Sequence, residues 1–179
     1  MTFLAVRFIS PDARPALYAA VVDDALTTSE ATNLQNELED KLGVSVIIDD
    51  YFDMDKDGLT KLQTMLSSKQ IDVIIAPHKI FKQLAGYGYL TNLESTVSKS
   101  DNTKLDDATV QLKGFSDADD DEIDSSGTGK GASKSYGLKL SDATGWTSIA
   151  DSDHSALIGI ATGTKNTGTA QRFIDWLYR

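Results

Sequence analysis

The sequence predicts an α/β fold, a three-layer α/β/α sandwich around a mixed, mostly parallel sheet, and three observations carry that expectation. The stretch Ile71 to Ala76 is apolar except for Asp72 and rich in β-branched side chains, which suits a central strand buried on both faces. Beyond Pro77 and His78, residues Ile80, Phe81, Leu84 and Ala85 fall on one helical stripe that Gly86 and Gly88 bring to a stop. Upstream of both, apolar runs and helical stripes alternate, the pattern of parallel strands joined by right-handed helical crossovers.

Taken in order, Leu17 to Asp23 reads as a buried strand after a Pro-containing turn. A helix follows, capped by Thr28 or Ser29, with Leu34, Leu38 and Leu42 at every fourth position and Gly43 as its end. Val44 to Ile48 is a second strand, and an acidic turn from Asp49 to Gly58 leads to a shorter helix marked by Leu59, Leu62 and Leu66. The Ile71 strand and its helix complete the alternation, with the Leu17 strand expected between the other two. From Glu94 to Lys134 apolar residues thin out, and only Val110 to Phe115 reads as a strand. The run from Ser116 to Ser135 is acidic, then rich in Gly and Ser, and is expected as a mobile loop. Tyr136 to Leu140 and His154 to Ala161 read as strands, the latter joining the same sheet. A last helix places Ala170, Phe173, Ile174 and Leu177 on one face.

With 179 residues, 40% hydrophobic and 25% charged, the chain suits a single α/β domain spanning 1–179. Its net charge of −10 disfavours nucleic acid as a partner and favours cations or basic partners. The absence of cysteine excludes disulfides, thiolate metal sites and cysteine nucleophiles. No run has the length of a membrane span. Residues 1–12 read either as the trimmed end of a membrane anchor, and so a membrane tether, or as an extra strand.

The stretch DVIIAPHKIFKQLAGYGYLTNL resembles a segment of bacterial extracellular solute-binding proteins of the maltose-binding type, and HSALIGIATGTKNTGTAQRFIDWLYR is similar to that family's return strand and following helix. The resemblance extends over roughly the first hundred and last forty residues and concerns fold more than chemistry. It implies a single lobe of a type II periplasmic binding protein, with residues 94–135 standing where a second lobe would be built. Only about sixty residues separate departure from return, too few and too polar for a second core. The resemblance also implies an extracytoplasmic place of work, at the cell surface or anchored to a membrane.

Candidate binding residues follow from the expected topology, which sets the carboxyl ends of the first three strands side by side. These ends carry Asp23 and Asp24, then Asp49, Asp50 and Tyr51, then Pro77 and His78, and the four carboxylates suit a metal ion, an amine or a basic peptide. The same acids also suit helix starts facing water. Asp53, Asp55, Asp57 and Gly58 match the opening of a calcium loop, D-x-D-x-D-G, although Thr64 stands where a bidentate Glu closes such loops. Weak calcium binding is one reading; an Asp- and Gly-rich turn before a helix is the other. No other cofactor is expected. Only His78 and His154 are available for acid-base work, and no nucleophile elbow or H-E-x-x-H motif accompanies them. The expectation is therefore a non-enzymatic binding or sensing module that recognises a protein partner or small-molecule ligand at an acidic edge. The alternative is a small-solute-binding protein of a transport system.

Overall fold

The computed structural model describes residues 14–96, 103–116 and 128–179. The readings of residues 1–12 and of the acidic run in the 116–135 loop therefore fall outside the described residues, the latter except for its two ends. The described chain is α/β. Its six strands are β1 (Leu17–Val22), β2 (Val46–Phe52), β3 (Val73–Ala76), β4 (Thr109–Lys113), β5 (Ser133–Lys139) and β6 (Leu157–Ile160). They form one mixed sheet in the order β2-β1-β3-β6-β5-β4. Pairings β1–β2 and β1–β3 are parallel, while β3–β6, β6–β5 and β5–β4 are antiparallel.

The parallel half follows from its crossovers. Helix α1 (Thr28–Leu42) links β1 to β2, and α2 (Gly58–Ser67) links β2 to β3. Helix α1 is capped by the Thr27 hydroxyl, which accepts from the Glu30 N–H at 3.3 Å, one residue ahead of the expected cap. It ends at Gly43, whose φ of 67° is left-handed. Helix α3 (His78–Gly86) follows β3, then the short α4 (Leu93–Thr96), α5 (Thr103–Ala108) and α6 (Thr144–Thr147), and α7 (Thr167–Leu177) closes the chain.

Helices cover both faces, making three layers. On one face α1 contributes Leu34 and Leu38, α7 contributes Phe173, Ile174 and Leu177, and Trp146 of α6 is fully buried among them. On the other, Leu62 of α2 and Phe81 and Leu84 of α3 pack on Ala20, Val22, Ile74 and Ala76. Strand β3 contributes to both clusters, with every residue at 0% exposure, as its unbroken apolar run requires.

The sequence reading needs correction in three places. The sheet is mixed as expected, but parallel pairing is confined to β1, β2 and β3, and the other three pairings are antiparallel. Strand β2 runs on to Phe52, so Asp49, Asp50 and Tyr51 lie within a strand and the turn starts at Asp53. Strand β5 begins at Ser133, inside the segment expected as a loop. There the Ser135 hydroxyl, 2% exposed, donates to Glu94 Oε1 at 2.8 Å and accepts from Gln111 Nε2 at 2.6 Å. Such bonds let a polar residue be buried, which composition does not reveal.

Candidate functional site

The register brings several loops to one end of the sheet. Strands β1, β2 and β3 finish there, and because β6 runs antiparallel to β3, with Ala76 opposite Leu157, the segment before β6 arrives at the same end. Strand β5 also ends there, with Lys139 opposite Leu157. This rim therefore carries Asp23 and Asp24 after β1, Asp53 to Asp57 after β2, Pro77 and His78 after β3, Asp142 after β5, and Asp151 to His154 before β6. A hydrogen bond from Asp153 N–H to the Ala25 carbonyl, 3.0 Å, ties the last of these loops to the first.

Asp23 and Asp24 both hold left-handed backbone, at φ 49° and 54°. Aspartate tolerates that region better than most residues, but two in succession are uncommon. The turn is fixed from outside, because Asp23 Oδ1 accepts the Met54 N–H at 2.7 Å and the Asp23 N–H donates to the Phe52 carbonyl at 3.0 Å. Lys56 stands among the acids of its own loop, the turn from Asp53 to Asp57. Its ammonium lies 2.9 Å from Asp53 Oδ2. It is held above the ordinary lysine range first by that hydrogen bond, then by the charge of Asp53, with Asp24 and Asp55 adding to it. Asp53 is lowered in return, by Lys56 and by the Asp55 N–H.

Asp49 and Asp50 do not join this cluster, because successive strand residues face opposite sides of a sheet. Asp49 turns toward α2, where it accepts Lys61 Nζ at 2.8 Å, the Tyr51 N–H at 2.9 Å and the Tyr18 hydroxyl. Burial alone would raise its carboxyl; the bonds from Lys61, Tyr18 and Tyr51 together outweigh that and lower it. The Tyr18 phenol is pushed well up by burial and further by Asp49. Asp50 instead accepts the Thr28 hydroxyl at 2.6 Å, at the start of α1. Tyr51 is 70% exposed. Pro77 stands at the N-cap position of α3 and His78 is its first residue, exposed on the rim.

The turn from Asp53 to Gly58 is closed by its own backbone. The Asp53 carbonyl accepts from the N–H of Lys56 at 3.1 Å and of Gly58 at 2.9 Å, and Asp53 Oδ1 accepts from the Asp55 N–H at 2.9 Å. Gly58 is required here, since a Cβ on it would sit 2.4 Å from the Asp53 oxygen. Among the described residues no three His, Asp or Glu side chains are gathered as a metal-holding group, so Asp53, Asp55 and Asp57 do not converge as a calcium loop would have them. The turn is that of an acidic helix start.

A concave feature lies at the opposite end of the sheet. An open depression of about 470 Å³ is lined by Gln63, Leu66, Ser67, Gly88, Tyr89 and Thr162. Tyr87 and Tyr89 meet there as a tilted pair with ring centroids 5.5 Å apart, and the Tyr89 hydroxyl accepts Gln63 Nε2 at 2.8 Å. The tyrosine pair is visible in the sequence. Its junction with Gln63 and Thr162 is not, because these come from three separate segments. Compared with known protein families, curated proteins and solved structures, the chain matches none of them.

Proposed function

We propose that this protein is a non-enzymatic binding or sensing module that works outside the cytoplasm and recognises a cationic partner or ligand at its acidic rim. The observation that supports this is the gathering of aspartates from separate loops at one end of the sheet, two of them held left-handed in succession by contacts from a neighbouring loop. Open α/β sheets keep ligands beyond the carboxyl ends of their strands. Acidic loops gathered there set up a potential that draws cations and steers basic partners. Unfavourable backbone maintained by its surroundings is a common feature of recognition sites.

The test titrates a lysine-rich peptide, spermidine and a neutral peptide of equal length into the protein, following backbone amide shifts. Binding by the cationic probes should perturb Asp23, Asp24 and Asp53 to Lys56, weaken as salt is raised, and fall severalfold in Asp24→Asn, which keeps a residue tolerant of left-handed backbone. Equal shifts with the neutral peptide, or shifts placed elsewhere, overturn the proposal. The depression beside Tyr89 favours a second reading, a small-solute-binding protein of a transport system. Under that reading, solutes would perturb Gln63, Tyr89 and Thr162 instead.

A further inference from the structure

The two edges of the sheet are treated differently. Along β2, the N–H groups of Val46 and Ile48 donate to Glu39 Oε1 at 3.1 Å and Gln35 Oε1 at 3.0 Å, two side chains one turn apart on α1. Farther along, Lys61 Nζ donates to the Tyr51 carbonyl at 3.1 Å, where the β1–β2 register shifts. The β2 edge is thus occupied along most of its length, as proteins protect edges from added strands. Strand β4 forms the other edge. Gly114 directs both its backbone groups at the β5 side, donating to the Ala132 carbonyl at 3.3 Å and accepting from the Gly131 N–H at 2.9 Å. Antiparallel alternation then turns the backbone of Gln111 and Lys113 outward, with the Thr109 carbonyl. Among the described residues, nothing bonds to the outward backbone groups of Gln111 and Lys113.

We propose that the β4 edge pairs antiparallel with the β4 edge of a second copy of this chain, about a two-fold axis through Gln111, and so continues the sheet from one copy into the next. With the axis at Gln111, all three outward positions of the strand find a partner. Gln111 faces its own image as a hydrogen-bonded pair, and Thr109 faces Lys113 of the second copy. In that register Val110 and Leu112 of the two copies stand opposite each other on the face where both belong to or pack against the α3-side core. The single charge of the strand, Lys113, meets a threonine and not its own image, so no like charges oppose each other. A two-fold contact of this kind is self-complementary and closes. Because a five-residue edge buries little surface, the dimer is weak and forms at high concentration.

Sedimentation equilibrium on the full chain tests this, read beside amide exchange. The average mass should climb from 19.4 kDa toward twice that value as concentration rises into the millimolar range. Over the same range the Gln111 and Lys113 amides should become protected while the Val46 amide is unchanged. Added salt should strengthen association, because each copy carries a net charge of −10. Gln111→Pro, which removes an outward N–H and no backbone bond to β5, although it also takes the Gln111 Nε2 bond from Ser135, should abolish dimerisation. Gln111→Lys, which sets two ammonium groups against each other on the axis, should do the same, and thermal melts check that each variant is folded. A chain that stays monomeric at millimolar concentration overturns the proposal. So does association that weakens with salt, which would assign the edge to an acidic extended segment of another protein, or a folded Gln111→Pro that dimerises like the parent.

Discussion

Asp49 and Asp72 are charges kept inside the layers, and each is retained by a different arrangement. Asp72 is 2% exposed and accepts from the Tyr18 N–H at 2.8 Å, from the Thr164 hydroxyl, and from Asn166 Nδ2 at 3.3 Å, joining β1, β3 and the start of α7. Asp72→Ala leaves these donors without an acceptor in a dry site, and a cost of at least about 3 kcal/mol is expected in urea unfolding. Asp49 is held by Lys61, Tyr18 and Tyr51, and its folded pKa is below the ordinary value. A carboxyl lowered by folding adds stability above its unfolded pKa of about 3.9 and loses it as pH falls through the folded value. Asp49→Asn should therefore be less stable at pH 7 by roughly 1–3 kcal/mol. Its stability should also fall less than the parent's between about pH 5 and pH 2, which parallel urea melts would measure. Tyr18 runs the other way. Its raised pKa contributes stability that is whole below about pH 10 and disappears as pH climbs through the folded value.

At the scale of elements, Phe81 explains how α3 comes so close to the sheet. A Cβ on Gly137 or Gly159 would lie 2.6 or 2.7 Å from its ring, so the helix rests on two glycines of adjacent strands. Gly159→Ala also meets the Tyr136 carbonyl at 2.7 Å, which is backbone and cannot swing away. We expect it to cost about 1–3 kcal/mol, where the same change at the open Gly168 is nearly neutral by thermal melt. The sequence made the regular elements legible because their signals are local: β3 by its apolar run, α1 by Leu34 and Leu38, α7 by Phe173 and Ile174. It also conveyed the order of the parallel half, since short crossovers leave few choices. Other features depend on pairings remote in sequence. Nothing local in Leu157–Ile160 says that it runs against β3, and Ser133 to Ser135 are polar enough to read as loop until Glu94 and Gln111 bond Ser135. The rim is legible in part for the same reason: Asp23 and Asp24 sit at a true strand end, whereas Asp49 and Asp50 resemble one only because the apolar run stops at Ile48, while β2 continues through polar residues to Phe52.

Over the whole molecule, charge is unevenly spread as well as unbalanced. The rim holds Asp23, Asp24, Asp53, Asp55, Asp57, Asp142, Asp151 and Asp153, with Lys56 and Lys139 among them. The described residues at the other end include Lys41, Lys69, Lys113, Lys130, Lys134 and Lys165. Like charges gathered in one region repel more in the folded chain than in the unfolded one, where they are spread apart, and salt screens that repulsion. Raising sodium chloride from about 10 to about 200 mM, a range over which the Debye length falls from roughly 30 Å to below 8 Å, should therefore stabilise the protein. A gain on the order of 1 kcal/mol corresponds to roughly 2–4 °C in Tm for a chain of this size. Calcium separates screening from a true site. Because Asp53, Asp55 and Asp57 do not converge and the Asp53 carboxylate is bound to Lys56, calcium and sodium salts at equal ionic strength should raise Tm equally, in the parent and in Asp55→Asn alike. A formed site would behave differently: at a hundred times its dissociation constant, calcium would add about 2.7 kcal/mol beyond screening. A calcium-specific shift of that size, lost in Asp55→Asn, would show that the turn opens away from Lys56 to take the metal, and the rim would then be a cation site in its own right.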